Sequence, residues 1–143
     1  MTDKFSVIVT GLVTNKGDIL IGKKEEIEDH PMSEQWHLPG GHLEKEEELR
    51  DKVIERLDEK TGLEVDVHQL IDVYYDSIGD VLRVIFHCES DGRETEASDS
   101  IEELKWVEPE NIGKELGDLE NEVLLGREDV LKFLDKLEKM PVF

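Results

Sequence analysis

Apolar residues along the chain change their period several times, and each change marks an element. Phe5 to Thr14 is β-branched and partly alternating, which predicts a strand. Asn15-Lys16-Gly17 predicts a turn, and Asp18 to Lys24 the returning strand. Residues 25–35 are acidic, contain Pro31 and predict a loop. Trp36 to Leu38 is a short apolar run, after which Pro39-Gly40-Gly41 predicts an irregular turn. From Glu46 to Thr61 there is no Gly or Pro, and Leu49, Val53 and Leu57 recur every four residues. That is one stripe of an amphipathic helix, with an acidic start suited to the helix dipole and Gly62 as its C-cap. Val65 to Tyr75 and Val81 to Cys88 predict a hairpin joined through Ser77 to Asp80. Residues 89–100 predict a polar loop and Glu103 to Val107 a short strand. Pro109 and Gly113 fit a helical turn. Arg127 to Met140 predicts a C-terminal helix with Val130, Leu131, Leu134 and Leu137 on its apolar side. The expected fold is one α/β domain over residues 1–143, a mixed sheet between helices.

Charge narrows the ligands. The 143 residues include 37 Asp and Glu against 17 Lys and Arg, a net charge of −20. Broad binding to a nucleic-acid polymer needs the opposite surplus, and so does docking on an anionic membrane. The acidity serves solubility, the alternative being a high-salt cytoplasm. At 37% hydrophobic residues, the chain can still build a core. Cys88 is the single cysteine, so no internal disulfide framework exists. The N-terminal apolar stretch is too short to span a bilayer and lacks a signal-cleavage pattern. A cytoplasmic protein is expected.

The segment from Trp36 to Leu63, WHLPGGHLEKEEELRDKVIERLDEKTGL, carries the candidate chemistry. Glycines let a backbone approach phosphate or metal closely. Helical carboxylates four residues apart can hold a hard divalent cation, which neutralises diphosphate and activates water. There is no GxGxxG and no P-loop.

This segment resembles the Nudix box, Gly-x5-Glu-x7-Arg-Glu-U-x-Glu-Glu-x-Gly-U, where U is aliphatic. Gly41, Glu47, Leu57, Glu59, Gly62 and Leu63 fall in register, and Trp36-x-Leu-Pro-Gly-Gly41-x-x-Glu44 resembles the family's approach to the box. The resemblance implies an α/β/α sandwich of Nudix type. It also implies Mg²⁺- or Mn²⁺-dependent attack of water on a nucleoside diphosphate derivative. Glu47 and Glu59 would hold metal or orient water, with Glu44 and a backbone carbonyl near Gly40 as further ligands. Glu103 would be a candidate base.

Three positions depart. The box expects Arg then Glu at 55 and 56, but the chain has Glu55 then Arg56; it expects Glu at 60, but the chain has Lys60. The resemblance implies metal ligands at positions 56, 59 and 60, so two of the three helical ligands are replaced by cations, Arg56 and Lys60. Neighbouring helical residues point about 100° apart, so Glu55 falls on the solvent-facing arc and the swap moves its carboxylate out of the site unless the helix rotates. Three readings stay open. Arg56 and Lys60 could pair with Glu44, Glu47 or Glu103 and close the site. They could hold a ligand phosphate directly, with Trp36 as a stacking platform or simply a core residue. Or a relocated metal site could use Glu44, Glu47, Glu59 and Gly40. The matching function classes are a weakened hydrolase, a binding module for a nucleotide or phosphorylated small molecule, and an interaction protein. The last includes a homodimer through the first strand pair or the C-terminal helix.

Overall fold

A computed structural model describes residues 6–29, 33–77 and 79–139. Phe5, Pro31 and Met140 of the predicted elements, and His30, lie outside these residues. The first two strands form as predicted: β1 (Ser6–Asn15) turns through Lys16 and Gly17, both at positive φ, into β2 (Asp18–Lys24). Next come β3 (Trp36–His37), β4 (Gly40–Leu43), α1 (Leu49–Thr61), β5 (Val65–Asp76), β6 (Val81–Ser90) and β7 (Ile101–Val107). A 3-10 turn (Pro109–Asn111) then leads into α2 (Ile112–Glu115), α3 (Asp118–Leu124) and α4 (Glu128–Lys139).

The sheet is mixed. β1 runs parallel to β6, while β5 pairs antiparallel with the other side of β6. The opposite edge of β1 is shared by β4 near its start and β2 near its end. β2 in turn pairs with β3 and β7. The first strand pair is thus interior to the sheet.

Two apolar layers form because the strands alternate. Val9, Val13, Leu20, Val84 and Phe86 face α1, where Val53 and Leu57 are fully buried. Leu12, Ile19, Ile21, Tyr74 and Ile85 face the opposite layer of α2, α3 and α4. The result is the α/β/α sandwich expected. Gly11 makes the α1 contact close: a Cβ there would lie 2.6 Å from Leu57 Cδ1. No helix among the described residues is long and apolar enough to cross a membrane.

Four sequence expectations change. Pro39-Gly40-Gly41 is not an irregular turn, because Gly40 and Gly41 open β4 opposite Thr10 and Val9. Closeness, not positive φ, demands these glycines: a Cβ at Gly40 would come 2.1 Å from the Val9 carbonyl oxygen. α1 begins at Leu49 rather than Glu46, since local side-chain bonds capture the preceding residues. Glu44 N–H donates to Glu47 Oε1 at 2.5 Å, Glu46 adopts φ 69°, and Glu48 caps the helix by accepting from Asp51 N–H. α3 is a further element that the apolar period does not mark, because the acidic Glu120 is buried alongside Leu124. Lastly, Leu131 is 47% exposed; Phe133 joins Val130, Leu134 and Leu137 in the buried stripe. At 100° per residue, position 131 rotates off that stripe.

Candidate functional site

Arg56 is the centre of the α1 site. Its side chain crosses over Gly41, where a Cβ would come 2.7 Å from Arg56 Cδ. Arg56 Nε donates to the His42 carbonyl at 3.1 Å. Nη1 meets Glu59 Oε2 at 3.2 Å, and Nη2 lies 3.9 Å from Glu47 and 4.0 Å from Glu44. A guanidinium therefore sits among the three carboxylates that the sequence marks as metal ligands. Lys52 adds a second cation, paired with both Glu47 and Glu55. Its hydrogen bond holds the Glu47 carboxyl below the usual carboxylate range, with Arg56 contributing more weakly. Glu55 points to solvent as its helical angle requires, its side chain 54% exposed.

Lys60, one turn further along the same helix, has different company. Its Nζ donates to Ser100 Oγ at 2.9 Å, and Ser100 Oγ lies 3.1 Å from Ser98 Oγ. The segment carrying these hydroxyls is pinned to the helix end by two bonds, Glu96 N–H to the Thr61 carbonyl and Ser98 N–H to the Lys60 carbonyl. The expected pairing of Lys60 with Glu44, Glu47 or Glu103 does not form. Its cationic neighbour is instead Lys24, at the end of β2, whose charged form is disfavoured first by burial and then by Lys60.

The remaining sequence candidates are dispersed. Glu103 lies exposed on β7, in register with Lys23, and makes no ion pair with Arg56 among the described residues. Trp36 packs against the opposite layer, with Lys105 Nζ 4.3 Å from its ring centroid, so α1 and Trp36 do not share a face. Gly40 is enclosed by β1. Cys88 is buried, and desolvation pushes its thiol up to about 12, which leaves it unreactive.

A buried polar group that the sequence did not single out lies under α3. Glu120 is 6% exposed and accepts from Leu38 N–H at 3.4 Å; burial pushes its carboxyl above the usual range, against the weaker pull of Arg83. Arg83 Nε bonds Asp76 at 3.0 Å. His37 is held neutral, its pKa lowered to about 4 by burial and then by Lys24. His37 Nδ1 is buried without a hydrogen-bond partner. The one sequence-level signal was an acidic residue inside an apolar helical stripe.

These residues do not fit the divalent metal that the box implies. Positions 56 and 60 present cations, and Glu44, Glu47 and Glu59 are turned onto Arg56. Among the described residues no three acidic, His or Cys side chains are placed to share a metal ion. Glu44 and Glu59 are also well exposed, at 76% and 50% of their side chains, so nothing preorganises them for a cation other than the guanidinium.

Comparison with known proteins places this arrangement. The family profile described as NUDIX domain matches residues 4–127. A MutT-like protein from Streptomyces ambofaciens is 27% identical over 84 residues, 59% of this chain and 54% of its own. An ADP-ribose pyrophosphatase from Methanocaldococcus jannaschii is 29% identical over 113 residues, 76% of this chain and 65% of its own. The chain thus matches less than two-thirds of the length of either curated relative. Among solved structures, a NUDIX hydrolase from Nitrosomonas europaea superposes with a TM-score of 0.78 at 16% identity, covering 100% of this chain and 78% of that one. The E. coli ORF135 protein superposes at 0.71 with 18% identity, covering 96% of each. At these identities the two structures speak for the fold. With the profile spanning most of its length, the chain belongs to the Nudix hydrolase family.

Proposed function

We propose that this domain takes up a nucleoside diphosphate derivative, the ligand class implied by its family, and that its hydrolysis through a helix-held metal is weak or lost. The observation that carries this reading is the Arg56 guanidinium seated among Glu44, Glu47 and Glu59 and bonded to the His42 carbonyl. A positive charge covalently part of the helix offsets part of the charge of those carboxylates. A divalent ion entering there would have to displace the guanidinium, against its attraction to every ligand. The relationship to an ADP-ribose pyrophosphatase supports the ligand class, since ADP-ribose is such a derivative. The net charge of −20 supports a small-molecule ligand over a nucleic-acid polymer or an anionic membrane. Soluble, cytoplasmic residence is part of the same proposal.

The test is a panel of nucleoside diphosphate derivatives assayed with Mg²⁺ and with Mn²⁺, on the wild type and on Arg56→Glu/Lys60→Glu. The expected result is little wild-type turnover, with both metal affinity and turnover gained by the double variant. Brisk wild-type turnover with Mg²⁺, abolished by Glu59→Gln, would overturn the reading in favour of a relocated metal site.

A further inference from the structure

Resting on that ligand class, we infer that Lys60 and Lys24, with the hydroxyls of Ser98 and Ser100, form a metal-independent site for the diphosphate group of the ligand. The placement is geometric. Ser100 is the common neighbour: its hydroxyl accepts from Lys60 Nζ at 2.9 Å, and its carbonyl accepts from Glu25 N–H, the residue next to Lys24, at 3.3 Å. Lys24 sits across the β2–β7 ladder from Ile101, the residue that follows Ser100, so β2 brings it to the strand end that faces Lys60 through Ser100. Ser98 Oγ completes the group, 3.1 Å from Ser100 Oγ.

The chemistry of these groups calls for an anion. An ammonium has three donors, and Lys60 spends one on Ser100. Both lysines are half-buried, and neither makes an ion pair within 4.0 Å among the described residues. That is unusual in a chain with 37 carboxylates for 17 cations. Glu120 and Glu25 lower the cost of charging Lys24, but less than burial and Lys60 raise it. Two cations that repel each other beside two hydroxyl donors are relieved by one multiply charged oxyanion. Diphosphate spreads charge over several oxygens and can accept at once from both ammoniums and from the serine hydroxyl that does not donate to its neighbour. Arg56 is excluded from this role, since carboxylates already surround it and would repel phosphate.

The experiment is calorimetric titration of the full chain with inorganic pyrophosphate and, separately, with ADP, in EDTA. Four variants are compared with the wild type: Lys60→Gln, Lys60→Arg, Lys24→Gln and Lys132→Gln. The last removes the same unit of charge from exposed α4, where Lys132 pairs with Glu128. Circular dichroism checks that each variant is folded. The expected result is pyrophosphate and ADP binding without metal. Lys60→Gln and Lys24→Gln should weaken it about tenfold or more. Lys60→Arg should restore most of it, and Lys132→Gln should stay within about twofold of wild type. If ADP binds in EDTA but Lys60→Gln weakens it no more than Lys132→Gln, the lysine site is wrong and the ligand class stands. If binding appears only with Mg²⁺, the lysine site is overturned in favour of a metal. If neither probe binds under any condition, the ligand class fails with it.

Discussion

Arg56 and Lys60 stand four residues apart on one helix face, replace the same kind of residue, and live in opposite electrostatic worlds. Arg56 is ringed by Glu44, Glu47 and Glu59 and anchored on a carbonyl. Lys60 donates to the Ser100 hydroxyl, itself beside that of Ser98, and its charge disfavours that of Lys24. The first arrangement is occupied within the protein: carboxylates already surround the guanidinium, and its Nε and Nη1 donors are bonded. The second is not, because it gathers like charge and leaves donors over. A substituted ligand position can therefore either close a site or change what the site attracts, and the neighbours decide which. Identity alone would have treated the two substitutions as one event.

Both regions depend on how α1 lies on the sheet, which gives the largest expected effect. Leu57 is fully buried against β1, with Gly11 allowing the close approach. Leu57→Ala should cost about 2–5 kcal/mol through lost burial and the cavity left behind. Chemical denaturation measures it, and metal-free pyrophosphate binding should weaken with it as the helix loosens. A loss under 1 kcal/mol would mean that α1 is not docked as described, and the comparison would lose its frame.

The next effect belongs to the Lys24 side. His37 has its pKa lowered to about 4 from 6.5 by burial and then by Lys24. Between those values the unfolded chain takes up the proton first. Stability from this residue is therefore full above pH 6.5 and falls as pH drops toward 4, by up to about 3 kcal/mol. His87, also lowered to about 4, adds a parallel loss, so the readout is a difference between proteins. His37→Gln should remove its share of the acid slope in denaturation experiments across pH 4–7. An unchanged slope would show that His37 charges freely in the folded state.

How much of this the sequence carried depended on how local each signal was. The β1–β2 turn, the Gly62 cap and the Val53/Leu57 stripe are set by neighbours within a turn of chain, and the structure keeps all three. The departures at positions 55, 56 and 60 were equally visible. Their consequences were not, because they depend on residues distant in sequence: Ser100 is 40 positions from Lys60. The start of α1 was misplaced because carboxylate-to-backbone bonds at Glu44 and Glu48 compete with the helix. α3 was missed because burying Glu120 violates the pattern that marks a helix face. Glu103 was proposed from its strand, which forms, but the register places it opposite Lys23 rather than at Arg56.

Arg56→Ala supplies the next measurement. It removes one hydrogen bond to a carbonyl and the charge that three carboxylates share, together with packing over Gly41. Because Glu44 and Glu59 are largely exposed, water relieves much of their repulsion. The expected loss is about 1–2 kcal/mol, read by thermal or chemical unfolding and growing at low ionic strength as screening falls. A neutral or stabilised variant would show that the guanidinium is a burden rather than a plug.

Lys60→Gln should have the smallest effect on the free protein, and that smallness is the sharpest form of the contrast. The variant weakens a hydrogen bond to Ser100 but relieves the repulsion with Lys24, so the net change at neutral pH should be about 0.5 kcal/mol or less. The sign appears in alkali. Lys24 has its pKa lowered below 10.5 by burial and by Lys60. Between that lowered value and 10.5 the unfolded chain holds more protons, so stability rises with pH there. Removing Lys60 raises the folded pKa back toward 10.5 and flattens that rise, which denaturation at pH 8–10.5 can resolve. Pyrophosphate then inverts the ranking: it should stabilise the wild type by mass action and Lys60→Gln far less. If Lys60→Gln instead destabilises the free protein as much as Arg56→Ala and pyrophosphate stabilises both equally, the two cations are structural alike and the helix carries a single closed site.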